Sequence, residues 1–220
     1  MKDHVDIKIP EVIHRSACVF EVIVRDKEKV DAYVLLLKKR NPEHSWWEVP
    51  GGEIEQGEKS HVRGIIEMVE EAGISISKDE ILTGLEVDAS GRNDSSPILE
   101  LENRRIINTP FVARREVTEL PKVNFFSKEP EHEDFAWLNV TGIYKEPRKH
   151  YFPFLYAMNA REIIYERDPI NPKIISLGAE ELSIGNSIHL SDVTGNILKR
   201  YVDHIVHNTQ WVNPRGLKMA

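Results

Sequence analysis

The sequence predicts a layered α/β or α+β fold in which strands interleave with a few helices. Two kinds of segment lead to this prediction. Runs rich in β-branched residues, such as Val12 to Val24, are typical of strands. Segments with apolar residues three and four positions apart, such as Ser60 to Ala72, are typical of amphipathic helices. A chain of 220 residues is long enough to bury a sizeable core between such layers.

The first elements along the chain are predicted to be two antiparallel strands. They are Val12 to Val24 and Val30 to Lys39, and the polar residues Asp26 to Lys29 form the turn between them. Glu48 to Gly52 follows as a short extended piece that ends in a tight Gly-Gly turn. The chain then enters its first helix.

That helix is predicted to cover Ser60 to Ala72, with Ser60 as the N-cap and Gly73 as the left-handed stop residue. We expect its core-facing stripe to consist of Val62, Ile65, Ile66 and Val69. Beside the stripe, three carboxylates share one helix face: Glu67, Glu70 and Glu71. Such a face is usually solvated, but a hard divalent cation such as Mg²⁺ also prefers carboxylate oxygens.

The second half of the chain alternates further strands with loops. Glu80 to Val87 is predicted to be a strand, Asp88 to Pro97 a polar loop, and Ile98 to Val117 either two strands or one long strand. Phe135 to Val140 is a short strand, and Phe154 to Glu166 is predicted to be a helix.

The segment Asp168 to Pro172 is predicted to be a boundary between residues 1–167 and a C-terminal extension, 168–220. The extension is expected to end in a helix capped by Ser191, with an apolar face of Ile197, Leu198, Tyr201, Val202 and Ile205. Three roles stay open for it: covering the site, mediating a homodimer, or packing as an added subdomain.

Composition and charge limit the classes of function. The net charge of −7 argues against a surface for duplex nucleic acid. No apolar run is long enough to span a membrane, and the first residues lack a signal core. Cys18 is the only cysteine, so a reduced, cytoplasmic location is expected.

Residues 50–74 resemble the Nudix box, which specifies glycine, glutamate and apolar residues at fixed spacings. The matching positions here are Gly52, Glu58, Glu67, Glu70, Glu71, Gly73 and Ile74. One position departs, because Ile66 stands where the box has an arginine that orients the catalytic glutamates. Arg63, four residues before Glu67, could replace that arginine.

The resemblance implies an α/β/α sandwich with a mixed sheet and a hydrolase that needs Mg²⁺ or Mn²⁺. Water would attack a phosphorus of a nucleoside diphosphate derivative, a small-molecule substrate. The implied catalytic residues are Glu67, Glu70 and Glu131, the implied metal ligands are Gly51, Glu67, Glu70, Glu71 and Glu131, and Glu58 and Gly52 would support them. Glu133 is the second choice for the downstream residue, and a merely solvated acidic loop is the alternative.

Cationic and aromatic side chains are expected to bind the substrate. The implied set is Arg40 and Arg63 for phosphate and Trp46 for a base, with Arg104, Arg105, Arg114 and Arg115 as further candidates. Two other functions stay open. Ile66 favours a catalytically weak or inactive nucleotide-binding module, and a structural domain with a fortuitous acidic helix is the remaining alternative.

Overall fold

The computed structural model describes residues 11–26, 29–40, 45–82, 98–101, 104–126, 130–178 and 186–207. The strands in these ranges are β1 (Glu11–Asp26), β2 (Lys29–Lys39), β3 (Trp47–Glu48), β4 (Ile81–Leu82), β5 (Ile98–Leu101), β6 (Arg104–Val117), β7 (His132–Asn139), β8 (Glu162–Arg167), β9 (Ile174–Leu177) and β10 (Ser187–His189). The α-helices are α1 (Ser60–Ala72), α2 (Thr141–Lys145), α3 (Pro147–Ala160) and α4 (Asp192–His207). None of the helices in the described ranges is long and apolar enough to span a membrane.

The strands form one mixed sheet with the order β10-β8-β9-β7-β2-β1-β6-β4. β1 pairs antiparallel with β2 and parallel with β6, while β3 joins the end of β2 and β5 joins β6. The predicted hairpin of the first two strands is therefore confirmed. The region Ile98 to Val117, predicted as one or two strands, forms two strands, β5 and β6. The predicted loop Asp88 to Pro97 and most of the predicted strand Glu80 to Val87 fall in residues 83–97, outside the described ranges.

Helices cover both faces of the sheet, as the period-2 alternation of β1 requires. Val19 and Ile23 belong to a core that includes residues of α3 and α4. Cys18 and Phe20 belong to a second core that includes Met68 of α1. The predicted α/β/α sandwich with a mixed sheet is therefore confirmed.

Helix α1 has the predicted bounds but not the predicted N-cap or buried stripe. Lys59 occupies the N-cap position without a side-chain capping hydrogen bond, and the Ser60 hydroxyl donates to the Thr109 carbonyl oxygen of β6 over 2.7 Å. Of the predicted stripe, Val62 and Val69 are exposed and Ile65 is half-buried against the core. The buried residues of the helix are Gly64, Glu67, Met68 and Ala72. The helix ends as predicted at Gly73, whose φ of 68° suits a residue without a side chain.

The prediction of a helix from Phe154 to Glu166 is confirmed as far as Ala160 and is wrong for the residues after it. The helix here is α3, which ends at Ala160, and the left-handed Arg161 (φ 57°) turns the chain into strand β8. Ile163 and Tyr165 are buried at alternate positions, which is strand rather than helix periodicity. A short apolar run satisfies both patterns, and pairing with β9 and β10 selects the strand.

The residues after 168 continue the same sheet. The Asp168 carboxylate accepts from the amides of Ile170 and Asn171, which forms a tight turn between β8 and β9. β9 then pairs parallel with β7. Helix α4 follows with Ser191 as its predicted cap, since the amide of Thr194 donates to the Ser191 hydroxyl over 3.2 Å.

Candidate active site

A cavity of about 540 Å³ lies where α1 meets the loop that leads into β7. Its walls consist of Arg63, Glu67, Glu70, Glu71, Phe126, Pro130, Glu131 and His132. All four side-chain carboxylates of the predicted metal set therefore line one cavity, although Glu131 lies sixty residues downstream of Glu71 in the sequence. Below, this cavity is called the carboxylate cavity.

The Gly-Gly turn before α1 allows the carboxylates to approach the backbone closely. A Cβ atom on Gly52 would stand 1.7 Å from Oε1 of Glu67, so no other residue fits without displacing that carboxylate. The amide nitrogen of Gly51 donates to Oε2 of Glu71 over 3.0 Å. Gly51 thus holds Glu71 by a hydrogen bond, and Gly52 leaves room for the carboxylate of Glu67.

Arg63 lies against the carboxylates from one turn earlier in α1. Its Nη2 is 2.5 Å from Oε1 of Glu67 and 3.7 Å from Oε2 of Glu70. Its Nε is buried without a hydrogen-bond partner. Ile66, the residue before Glu67, is half-buried and carries no charge. The guanidinium that contacts the glutamates belongs to Arg63, three residues before Ile66.

Glu131 enters the carboxylate cavity from the loop before β7. Its carboxylate accepts a hydrogen bond from Lys39 Nζ, and its backbone carbonyl accepts from the amide of Arg40 over 2.7 Å. The second choice, Glu133, does not line this cavity, because its carboxylate pairs with Lys38 at 2.5 Å. Glu131 is therefore the member of this acidic loop that faces the helix glutamates.

The sequence analysis missed a buried bridge behind the carboxylates. His132 is 1% exposed, and its Nε2 lies 3.0 Å from Oε1 of Glu48. Its Nδ1 lies 3.6 Å from Oε1 of Glu71 and has no hydrogen-bond partner. Only the position of His132 beside Glu131 in the sequence could have indicated it, since Glu48 comes from a distant strand.

Burial and neighbouring charges set the proton affinities of these groups. Burial raises the pKa of Glu71 to about 9, and the nearby Glu67 acts in the same direction. Burial also raises the pKa of Glu67, against the opposing effect of Arg63. A hydrogen bond from Lys39 lowers the pKa of Glu131. Burial alone would raise the pKa of Glu48, but His132 and Lys39 outweigh it and hold that pKa below its usual value.

The donor set of the cavity fits a hard divalent cation, because carboxylate oxygens are the ligands that Mg²⁺ and Mn²⁺ prefer. The raised pKa of Glu71 is typical of a buried carboxylate beside another carboxylate. In the described part of the chain, however, no three acidic or histidine side chains already enclose an ion position. Arg63 pairs with Glu67 through Oε1 and Lys39 pairs with Glu131 through Oε2, so each carboxylate has a second oxygen for an ion.

A second cavity, of about 650 Å³, lies near the start of α4. The stretch from Glu48 to Gly51 separates the two cavities. Glu48 and Gly51 line the second cavity. On the other side, Glu48 contacts His132 and Gly51 contacts Glu71, and these two partners line the carboxylate cavity. Trp46 lines this second cavity, whereas Trp47 is buried in the core.

Several of the residues predicted to bind the substrate or to support the site do not line the carboxylate cavity. Arg40 is exposed and lines neither cavity, and Glu58 accepts a hydrogen bond from the amide of Glu55 in its own loop. Arg114 pairs with the buried Glu21, and Arg115 pairs with Glu80, so neither arginine is available to phosphate. The side chains of residues 104 and 105 lie outside the described part of the structure. Phe126 is 70% exposed at the carboxylate cavity.

Comparisons with known proteins place this geometry in a family. The family model described as "NUDIX domain" matches residues 12–157. No curated protein sequence matches the chain.

Solved structures of this type resemble the chain at low identity. A MutT/nudix family protein from Enterococcus faecalis is 15% identical, with 98% of this chain and 69% of that chain covered and a TM-score of 0.47. An Ap4A hydrolase from C. elegans is 20% identical, with 57% and 78% covered and a TM-score of 0.39. A MutT protein from Methanosarcina mazei Go1 is 18% identical, with 58% and 77% covered and a TM-score of 0.39.

Proposed function

This chain belongs to the NUDIX domain family and is a Nudix-type hydrolase of pyrophosphate bonds, and from that premise we propose that its substrate is a nucleoside diphosphate derivative and its cofactor is Mg²⁺ or Mn²⁺. The observation that carries the proposal is the convergence of Glu67, Glu70, Glu71 and Glu131 on one cavity. Glutamates this close together repel one another, and a divalent cation turns that repulsion into binding.

The four glutamates would hold the ion, together with the Gly51 carbonyl if it turns toward the cavity. When bound, the ion supplies charge neutralisation of the diphosphate and orientation of the attacking water. Arg63, which already contacts Glu67 and Glu70, keeps these carboxylates on the cavity side of the helix. Lys39 does the same for Glu131.

Glu67 is our candidate for the base that takes the proton of the attacking water. A general base works best when its pKa approaches the working pH, and burial raises the pKa of Glu67. The pKa of Glu131 is lowered, which suits a permanently charged ligand better than a base. Glu67→Gln should therefore reduce kcat by about 10²–10⁴-fold, and more than Glu131→Gln does.

The second cavity is our candidate position for the nucleoside of the substrate. The stretch from Glu48 to Gly51 lies between it and the carboxylate cavity, because Glu48 contacts His132 and Gly51 contacts Glu71. Its volume of about 650 Å³ lies within the usual range for small-molecule sites. Trp46 provides an aromatic surface there.

A nucleotide-binding module without turnover is the second candidate, and Ile66 is the observation that favours it. The box arginine orients catalytic glutamates, and its replacement by isoleucine could mark a site that has lost its rate. The contact of Arg63 with Glu67 argues against this, because a guanidinium still reaches the glutamate.

A release assay separates the two candidates. We would incubate the protein with ADP-ribose, dinucleoside polyphosphates, ordinary and oxidised nucleoside triphosphates, and nucleotide sugars, each with Mg²⁺ or Mn²⁺. Glu70→Gln tests the site, and Glu133→Gln is the matched control, because Glu133 pairs with Lys38 away from the cavity. Turnover that Glu70→Gln abolishes and Glu133→Gln retains supports the hydrolase. Tight binding without turnover supports the module.

A further inference from the structure

The C-terminal segment 186–207 lies beyond the part of the chain that the family model matches, which ends at residue 157. In this segment, Leu190 forms a parallel bridge with Trp47 of β3. β3 has only two residues and pairs with β2 along its other edge. A strand of this length is shorter than is usual, so its position depends on both neighbours.

Two hydrogen bonds from the C-terminal segment hold the peptide groups on either side of Glu48. The amide of Ser191 donates to the carbonyl oxygen of Trp47 over 3.0 Å. The amide of Val49 donates to the hydroxyl of Thr194 over 3.1 Å. Thr194 is 1% exposed, so water does not replace its hydroxyl as the acceptor without opening the structure. The C-terminal segment therefore fixes the backbone at Glu48.

The side chain of Glu48 leads from this backbone to the carboxylate cavity. Its Oε1 lies 3.0 Å from Nε2 of the buried His132, and its Oε2 accepts from Nε1 of Trp46 over 3.3 Å. Nδ1 of His132 lies 3.6 Å from Oε1 of Glu71. Glu48 and His132 thus form a continuous support behind a carboxylate of that cavity.

The backbone after Glu48 is held by a different element. The amide of Cys18 in β1 donates to the carbonyl oxygen of Pro50 over 2.8 Å, and the amide of Ser16 donates to that of Gly52 over 2.8 Å. β1 therefore fixes the glycine turn, and the C-terminal segment fixes the residues just before it. A change in the C-terminal segment should act first on Glu48.

We propose that Thr194 is a positioning residue of the ion site, and that it acts through Glu48. Glu48 supports His132, and His132 supports the proposed ligand Glu71. Thr194 itself does not line the carboxylate cavity, so it contributes to the ion site without contacting the ion. This inference rests on the proposed function, since it concerns the ion that Glu71 would hold.

The test measures the affinity of the full chain for Mn²⁺ by electron paramagnetic resonance, which requires no turnover. Thr194→Val removes the hydroxyl at nearly the same size and leaves the Val49 amide without its acceptor. It should weaken Mn²⁺ binding by about tenfold. Thr194→Ser keeps a hydroxyl and should restore the affinity. Glu48→Leu tests the next link without altering α4 and should weaken Mn²⁺ binding by about tenfold or more.

Tyr201→Phe is the matched control. It also removes a buried hydroxyl from α4, but the Tyr201 hydroxyl donates to Glu21 rather than to the backbone beside Glu48. The control should lose stability and keep the wild-type affinity for Mn²⁺. An equal loss of affinity in Tyr201→Phe and Thr194→Val would indicate a general effect of stability and would overturn the inference.

A double-mutant cycle tests the route. If Thr194 acts through His132, the double variant of Thr194→Val and His132→Gln binds Mn²⁺ no more weakly than His132→Gln alone. Losses that multiply would overturn this route. Amide exchange followed by NMR adds a readout without metal, since Thr194→Val should remove the protection of the Val49 amide and leave that of the Pro50-flanking β1 amide of Cys18 unchanged.

The outcomes separate this inference from the proposed function. A wild-type protein that binds Mn²⁺ as tightly as Thr194→Val does overturns the inference and leaves the proposed cofactor in place. A wild-type protein without affinity for Mn²⁺ or Mg²⁺ rejects the proposed cofactor, and the inference with it. Weaker binding in Thr194→Val, recovery in Thr194→Ser and a non-additive cycle with His132→Gln support the inference.

Discussion

Arg63 and Glu67 form an ion pair across one turn of α1, with 2.5 Å between Nη2 and Oε1, and the pair lies in the wall of the carboxylate cavity. The arginine of the Nudix box would stand at position 66, where this chain has isoleucine. In this pair, the guanidinium reaches Glu67 from Arg63, which lies three residues before Ile66 in the helix. The helix periodicity allows this, because positions i and i+4 share a face.

We predict that Arg63→Ala lowers the hydrolysis rate by about 10–100-fold, the usual effect of losing a group that orients a metal ligand. Arg63→Ala combined with Ile66→Arg should recover part of the rate, since the guanidinium returns from the position that the box specifies. Steady-state kinetics on the best substrate would measure both. An unchanged rate in Arg63→Ala would show that the arginine does not substitute for the missing one.

His132→Gln should weaken the binding of Mn²⁺ by about 10–100-fold. The imidazole packs between Glu48 and Glu71, so its removal would leave a gap behind Glu71, whose other oxygen accepts from the amide of Gly51. Titration of Mn²⁺ followed by electron paramagnetic resonance measures the affinity without turnover. His150→Gln, in α3, is the control, and equal affinities of the two variants would remove His132 from the site.

The raised pKa of Glu71 predicts that the metal-free protein loses stability as the pH rises from about 4.5 to about 9. In this range the unfolded chain releases the proton of this carboxyl while the folded chain retains it, so each increase in pH favours unfolding. Thermal unfolding at several pH values would measure the slope, and Glu71→Gln should flatten it. Added Mg²⁺ should stabilise the wild type more at pH 9 than at pH 5. A slope that is the same in Glu71→Gln would contradict the assignment.

Gly52→Ala should abolish divalent binding, because its Cβ would meet Oε1 of Glu67 at 1.7 Å and displace the carboxylate. Gly57→Ala is the matched control. Its φ of 86° makes alanine strained there, at a cost of about 1–2 kcal/mol, but nothing stands within 4 Å of the added atom. The control should therefore lose stability and keep its affinity for the ion. Equal loss of affinity in both variants would point to a general effect on the loop.

Tyr201→Phe should destabilise the protein by about 1.5–3 kcal/mol, the range for a hydrogen bond to a charged group. The Tyr201 hydroxyl donates to the fully buried Glu21, which also accepts from Arg114 and Tyr144. This network attaches α4 to β1. Urea unfolding would measure the loss in the free energy of unfolding. Tyr151→Phe is the comparison, because the Tyr151 hydroxyl contacts Asp203 at the surface, and it should lower the free energy of unfolding by less than half as much.

The sequence identified the parts of the site that are encoded locally. The spacing from Gly52 through Glu67 to Gly73 fixes a turn, a helix face and a helix end, and all three depend on neighbours along the chain. The buried face of α1 was predicted less well, because Val62 and Val69 have the right periodicity but the helix approaches the sheet through Gly64 and Met68.

The parts encoded by tertiary pairing could not be predicted. Glu48 and His132 come together because β3 and β7 both pair with the end of β2, a relationship without any local signature. The wall that 189–194 contributes to the second cavity depends in the same way on the bridge between Leu190 and Trp47. Sequence spacing carries no information about either contact.

The most direct test of the central claim is to hydrolyse the best substrate of the release assay in ¹⁸O-labelled water and locate the label by mass spectrometry. Water attack at phosphorus, assisted by an ion that the four glutamates hold, predicts that the label appears in the phosphate of one product. It also predicts that chelation of the ion stops the reaction. Label on a carbon-bound oxygen, or turnover that continues in excess chelator, would contradict the account.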